Sequence, residues 1–301
     1  MLKDVLGPPA TLIKGIPPVR DIFKTLAQDE GIQNSALDFL QKRLTSGATK
    51  LSSIGEVVFN NAIEDIKNSQ KILLSEQIGI LTGSYLTVTG IDALKSLGEN
   101  GALLILNHSS KGHLRGYGNT IAVSKAISDN TGQDPIWAHG VDKSTFQDLA
   151  RPKLSHSIET ITIRDKNDNG LSRITKAVAE GRIVAIYPEG DSSEKLKRGV
   201  ANAGRLIATS ILKGIPVIYG VSYFDTNSNT YKTAFFNIDA EKIKSVYESL
   251  PKSERNKNTG ELRGQKVIDF IMIQIAKNLP QEMQGEYGLE KVLRRALKKT
   301  A

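Results

Sequence analysis

The fold class this sequence predicts is an α/β domain, a layered and largely parallel central sheet flanked by helices, with an N-terminal helical subdomain in front of it. Three observations predict it. From about residue 83 onward, short β-branched runs alternate with helical stretches, the pattern of parallel strands joined by crossover helices. One run, Ala102-Leu103-Leu104-Ile105-Leu106, is apolar at every position, as a strand covered on both faces requires. Before residue 83 the apolar residues recur at helical rather than strand spacing. The expected division is therefore 1–82 for a strap and helical subdomain, and 83–301 for an α/β domain with C-terminal helices.

Taken in chain order, the paired prolines Pro8-Pro9 and Pro17-Pro18 exclude a regular helix across both positions and predict an extended strap. Leu37, Leu40 and Leu44, then Ile54, Val57, Val58, Ala62 and Ile66, predict two or three helices between Asp21 and Ile80. Leu86–Gly90 and Ala102–Leu106 read as strands, followed by Pro135–Ala138, Glu159–Ile163, Ile183–Tyr187, Pro216–Val221 and Thr233–Ile238. Helices are expected at about 115–128, 170–180 and 199–213. Residues 252–264, rich in Lys, Arg, Asn and Gly, predict a mobile polar loop. Val267, Ile268, Ile271, Ile275 and Leu279 mark a last amphipathic helix that closes the core.

The composition bounds the function. With 301 residues, 39% apolar and 24% charged, the chain can bury a substantial core and matches soluble globular proteins. It has no cysteine, which removes disulfides, thiolate nucleophiles and cysteine-based zinc sites and suits a reducing interior. No apolar run reaches the roughly 18 residues a spanning helix needs, and the opening segment lacks the pattern of a secretory leader. The expected location is cytoplasmic. A net charge of +8, part of it in the tail Lys291–Lys299, attracts anionic partners. Nucleic acid is not among the expected ones, since no recognised module accompanies the charge.

Chemistry concentrates at strand ends. The apolar run ends in Asn107-His108-Ser109-Ser110-Lys111-Gly112, placing an imidazole where a buried sheet meets solvent. About 80 residues later, Ile183–Tyr187 ends in Pro188-Glu189-Gly190-Asp191-Ser192-Ser193, a carboxylate beside a glycine that allows close backbone approach. Lys195-Leu196-Lys197-Arg198-Gly199 then opens a helix and could hold a phosphate. Gly214–Ser222 supplies a strand that would floor the site.

In this order and at this spacing the blocks resemble the glycerol-phosphate and lysophosphatidic acid acyltransferase family, within the glycerolipid acyltransferases. The resemblance covers about residues 86–238: Val88–Asp92, the strand into Asn107-His108, Ile161–Arg164, Tyr187-Pro188-Glu189-Gly190, and Gly214–Val217. It implies transfer of a fatty acyl group from coenzyme A or an acyl carrier protein to a hydroxyl, such as that of glycerol 3-phosphate or a lysophospholipid. It implies no bound cofactor or metal, and contact with an anionic membrane surface. His108 would act as general base and Glu189 would complete the centre. Asn107, Arg164, Gly190, Asp191, Lys197 and Arg198 are the candidates for binding substrate.

Two positions depart from the family. His113 stands where the family carries an aspartate that orients the catalytic histidine, and neutral imidazole supplies no permanent negative charge. In a serine-protease triad, loss of the equivalent carboxylate costs on the order of 10⁴ in rate. Glu189 or Asp191 could orient His108 instead, or a neutral His113 could accept its N–H. Asp191-Ser192 stands where the family has Thr-Arg, which leaves an acceptor without phosphate open. The rival reading is a lipid- or acyl-carrier-binding protein that keeps the fold without turnover. A metal hydrolase built on His108 and His113 is disfavoured, because a spacing of five does not put both on one helix face. Trp137 reads as core, His139 as a satisfied loop histidine, and His156 has no assigned role.

Overall fold

The computed structural model describes residues 28–47, 49–95, 97, 101–140, 145–163, 170–249, 259–289 and 291. The most apolar run of the sequence forms the centre of the sheet. Strand β2 (Ala102–Leu106) follows strand β1 (Tyr85–Thr89) and a short helix α3 (Ile91–Lys95), and every residue of β2 is fully buried. Burial of each Leu or Ile side chain there contributes roughly 1.5–3 kcal/mol. Strands β3 (Ile136–Gly140), β4 (Thr160–Ile163) and β5 (Ile183–Ile186) lie on one side of β2, and β6 (Val217–Asp225) and β7 (Thr230–Asn237) on the other. The seven-stranded order is β1-β7-β6-β2-β5-β3-β4. Five strands run parallel, while β7 returns antiparallel to β6 and pairs in parallel with β1 at the edge.

Period-two alternation divides β2 between two layers. Leu103 and Ile105 face a core formed by helices α6 (Gly170–Ala179), α7 (Ala201–Leu212), α8 (Ala240–Glu248) and α9 (Thr259–Lys277). Leu104 and Leu106 face α3 and helix α4 (Tyr117–Thr131). Helices α7 and α9 touch backbone to backbone: a Cβ on Gly204 would lie 1.8 Å from the Gly264 carbonyl oxygen, so only glycine fits there.

The front of the chain supplies helices α1 (Glu30–Thr45) and α2 (Ser53–Lys67), capped by Asp29 and Ser52, and then a 3-10 segment, Leu74–Leu81. Their core residues, Leu37, Leu40, Phe59 and Ile63, pack with Leu114 and Ile121, with Leu149 of helix α5 (Thr145–Ser157), and with Phe224 and Tyr231 of the β6–β7 hairpin.

Most expected elements are present, with two corrections. Helix α9 begins at Thr259, so residues 259–264 are helical rather than loop; the rest of the expected loop, the proline-rich strap and most of the basic tail lie outside the described residues. The hairpin strands extend to 217–225 and 230–237, held together by a turn in which Asp225 accepts from Asn227 N–H and Ser228 Oγ.

Candidate active site

The carboxyl ends of β2 and β5 carry the two motifs, beside the point where the strand order turns outward in both directions from β2. Such a crevice is where open α/β sheets bind ligands. Asn107 ends β2 by prolonging its ladder with β6. Its Nδ2 donates to the Ser222 carbonyl at 2.9 Å, and its Oδ1 accepts from the Ser222 N–H at 2.8 Å. Both polar ends of this buried amide are thereby occupied by main chain, and the point from which His108 projects is pinned.

Glu189 ties the motifs together. Its Oε1 accepts from the His108 N–H and its Oε2 from the Lys197 N–H, each at 2.6 Å. Further main-chain bonds run from Ser193 N–H to His108 O and from Ser110 N–H to Ser193 O. The carboxylate thus ties the loop after β2 to the loop after β5 through their backbones and does not grip the imidazole. Burial pushes its pKa up to about 7, opposed by the two main-chain donors and by Lys197. Gly190, at φ +74°, closes the turn by donating its N–H to Tyr187 O, in the left-handed conformation that favours glycine.

The His108 ring lies face to face with Tyr187, with centroids 4.1 Å apart and planes 4° from parallel. Among the described residues none is hydrogen-bonded to its ring nitrogens. Burial lowers its pKa to about 4, with Asp191 raising it and Lys197 lowering it. The imidazole is therefore neutral at physiological pH, the form a general base needs. Asp191 is exposed and paired with Lys197 Nζ at 2.8 Å, which holds its carboxyl below the usual range. Arg198 is exposed. Arg164 lies outside the described residues.

His113 is placed elsewhere. Its N–H donates to Tyr231 Oη at 2.9 Å, and its Nδ1 lies 2.8 Å from the same oxygen. The ring meets Phe224 edge-on and bonds the Lys50 main chain, and burial lowers its pKa. His139 stands on β3 opposite Thr162, 3.4 Å from its hydroxyl.

A shallow cleft lies at this centre, lined by His108, Glu189, Ser193, Leu279 and Met283 among others, with no enclosed room even for a water molecule. Sites that enclose a ligand measure several hundred Å³, so reactants would meet His108 at an open surface. Leu279 and Met283 come from the segment after α9, which also clamps the basic loop: Leu196 N–H donates to Met283 O, Glu286 N–H to Leu196 O, and Gly199 N–H to Tyr287 Oη. Sequence reasoning missed this wall, because nothing local in residues 279–287 points to a loop some 80 residues earlier.

No cluster of three or more His, Cys, Asp or Glu able to hold a metal occurs among the described residues. No helix among them is long and apolar enough to cross a membrane. No family model matches the chain, and no curated protein matches it.

Proposed function

We propose that the chain is an acyltransferase that moves a fatty acyl group from a thioester of coenzyme A or an acyl carrier protein to a hydroxyl acceptor. What carries this reading is the neutral His108 imidazole, with no described residue bonded to its ring nitrogens, held beside a cleft on a loop that Glu189 stitches to the end of β5 at 2.6 Å. His108 would take the hydroxyl proton as the oxygen attacks the thioester carbonyl. Collapse of the tetrahedral adduct then breaks the C–S bond, and the thiolate leaving group takes the proton back from the imidazolium. No covalent enzyme intermediate is needed. Lys195 and Arg198, both exposed, would attract a phosphate on donor or acceptor, and the basic surface would meet an anionic membrane.

A second reading, a lipid- or acyl-carrier-binding protein without turnover, draws on a specific observation. His113, which occupies the orienting aspartate's place, gives its ring to Tyr231 instead.

Assaying thioester consumption by the full chain with a panel of hydroxyl acceptors separates the two. The acyltransferase reading expects turnover that falls roughly 10²–10⁴-fold in His108→Ala. Binding of acyl thioester without turnover would select the second reading, and turnover unchanged by His108→Ala would overturn the first. Sedimentation with anionic vesicles should show binding at low salt that weakens at high salt.

A further inference from the structure

The protein holds the His108 ring by its face. Below His108 lies Tyr187, and below Tyr187 lies Trp137, with those two ring centroids 4.9 Å apart and their planes 26° from parallel. Each lower ring is latched by its polar handle to helix α4: Tyr187 Oη lies 2.9 Å from Thr120 Oγ1, and Trp137 Nε1 donates to Ser124 Oγ at 3.0 Å. Residues 120 and 124 are one helical turn apart, so both latches come from one face of the helix. Helix α4 is anchored to the His108 loop in turn, since Asn119 Nδ2 donates to the Lys111 carbonyl at 2.9 Å.

We propose that Tyr187, backed by Trp137, is the positioning residue of His108. A latched aromatic column fixes the plane of the imidazole, doing by stacking what an orienting carboxylate does through a ring nitrogen. Three placements support this. Glu189 spends both oxygens on main-chain N–H groups. The His113 ring is engaged by Tyr231 and Lys50. Asp191 is paired with Lys197, so its charge reaches the imidazole without gripping it. Stacked rings restrain tilt and leave the ring edge, where both nitrogens lie, free for a substrate proton. The assignment of His108 as base rests on the acyltransferase reading; the column itself does not.

The test combines NMR of the full chain carrying labelled histidine with turnover measurements. Of the four histidines, the one whose signals vanish in His108→Gln should show ring protons shifted upfield by the phenol beneath it. Tyr187→Leu should abolish that shift and lower kcat about 10²-fold at nearly constant KM, the cost of a misplaced catalytic group. Tyr187→Phe, which keeps the ring, should restore the shift and most of the lost kcat. Native His108 signals without an upfield shift, or a folded Tyr187→Leu with native kcat, would overturn the proposal. Should Tyr187→Leu not fold, Thr120→Val decides: release of the latch should weaken the shift and lower kcat severalfold, and no change in either would overturn it. If the native protein consumes no thioester with any acceptor, the acyltransferase reading fails, while the upfield shift still decides whether the column orders the ring.

Discussion

His108 and His113 sit five residues apart on one loop, yet the fold gives them opposite surroundings. His108 is stacked on Tyr187 beside a cleft, and no described residue is bonded to its ring nitrogens. His113 is 4% exposed, and its ring is bonded to the Tyr231 hydroxyl and the Lys50 main chain. A neutral imidazole has one donor and one acceptor, so a ring placed between a hydroxyl and a carbonyl can be fully satisfied. The backbone on both sides of His113 enforces the separation: Gly112 before it and Leu114, Arg115 and Gly116 after it all have positive φ, and a Cβ on Gly116 would come within 2.0 Å of the Ser109 carbonyl oxygen. Left-handed non-glycine residues persist only where surroundings over-determine them. Here Leu114 is buried among the front helices, and Arg115 Nε donates to the Arg43 carbonyl at the end of α1. The difference teaches that two histidines on one loop can serve opposite ends, one open to solvent chemistry and one spent on packing. His113 fastens the helical front to the hairpin.

The contrast breaks most sharply on truncation. On the acyltransferase reading, His108→Ala should lower turnover roughly 10²–10⁴-fold, with a smaller loss of stability than His113→Ala. His113→Ala should do the reverse, costing about 1–3 kcal/mol of stability by orphaning buried partners while the folded fraction keeps most of its turnover. Denaturant titration beside steady-state kinetics checks both, and equal losses of turnover in two well-folded variants would erase the distinction.

Next in size is Glu189→Gln. An amide can accept only one of the two main-chain N–H groups that the carboxylate takes, and its own NH₂ would face the other. The loop should lose about 1–3 kcal/mol, and turnover should fall because His108 loses its tie to the β5 end. A variant with native turnover and stability would show that the bonds to His108 and Lys197 do not hold the centre.

A smaller effect on turnover, and a more diagnostic one, is expected from His113→Asp. On the acyltransferase reading, the aspartate carried there by the family that the sequence resembles should bring no gain in kcat, because the side chain points at Tyr231 rather than at His108. A carboxylate buried there would have a raised pKa. Its contribution to stability is therefore present below the unfolded value and lost as pH rises, so the melting temperature should compare worse with the native protein at pH 8 than at pH 5. A large gain in turnover would mean that the loop can rearrange to put residue 113 against His108.

The fold was legible because each strand announces itself locally. Ala102–Leu106 was read with its observed bounds, since a fully buried strand must be apolar throughout. Strand direction was not legible: periodicity says which residues share a face and nothing about which way a neighbour runs, so the antiparallel return of β7 went unread. The centre divides the same way. His108 and Glu189 lie in contiguous motifs at strand ends, whereas the partner that decides the role of His113 is 118 residues away. Trp137 was rightly read as core, but its place under Tyr187 and His108 depends on β3 pairing with β5. Thr120 and Ser124 carry no signal of their own; a tyrosine immediately before the Pro-Glu-Gly turn was the nearest available hint.

The gentlest way to sharpen the comparison is pH. His108 has its folded pKa lowered to about 4 from 6.5, so the neutral ring is the form that folding favours. Its contribution to stability is full above 6.5 and is lost as pH falls toward 4. Glu189 acts with opposite sign. Its folded pKa is raised from 4.5 to about 7, so its contribution is full below 4.5 and is lost as pH rises through 7. The two slopes oppose each other between about 4.5 and 6.5, and the native protein alone should show a shallow profile there. His108→Gln removes one of them, leaving stability that declines as pH rises across that window, measurable as a melting temperature higher at pH 5 than at pH 7. Turnover gives the companion reading: the acid limb of kcat/KM should fall near pH 4 rather than near 6.5. A limb near 6.5 would place the working imidazole in water, away from Tyr187.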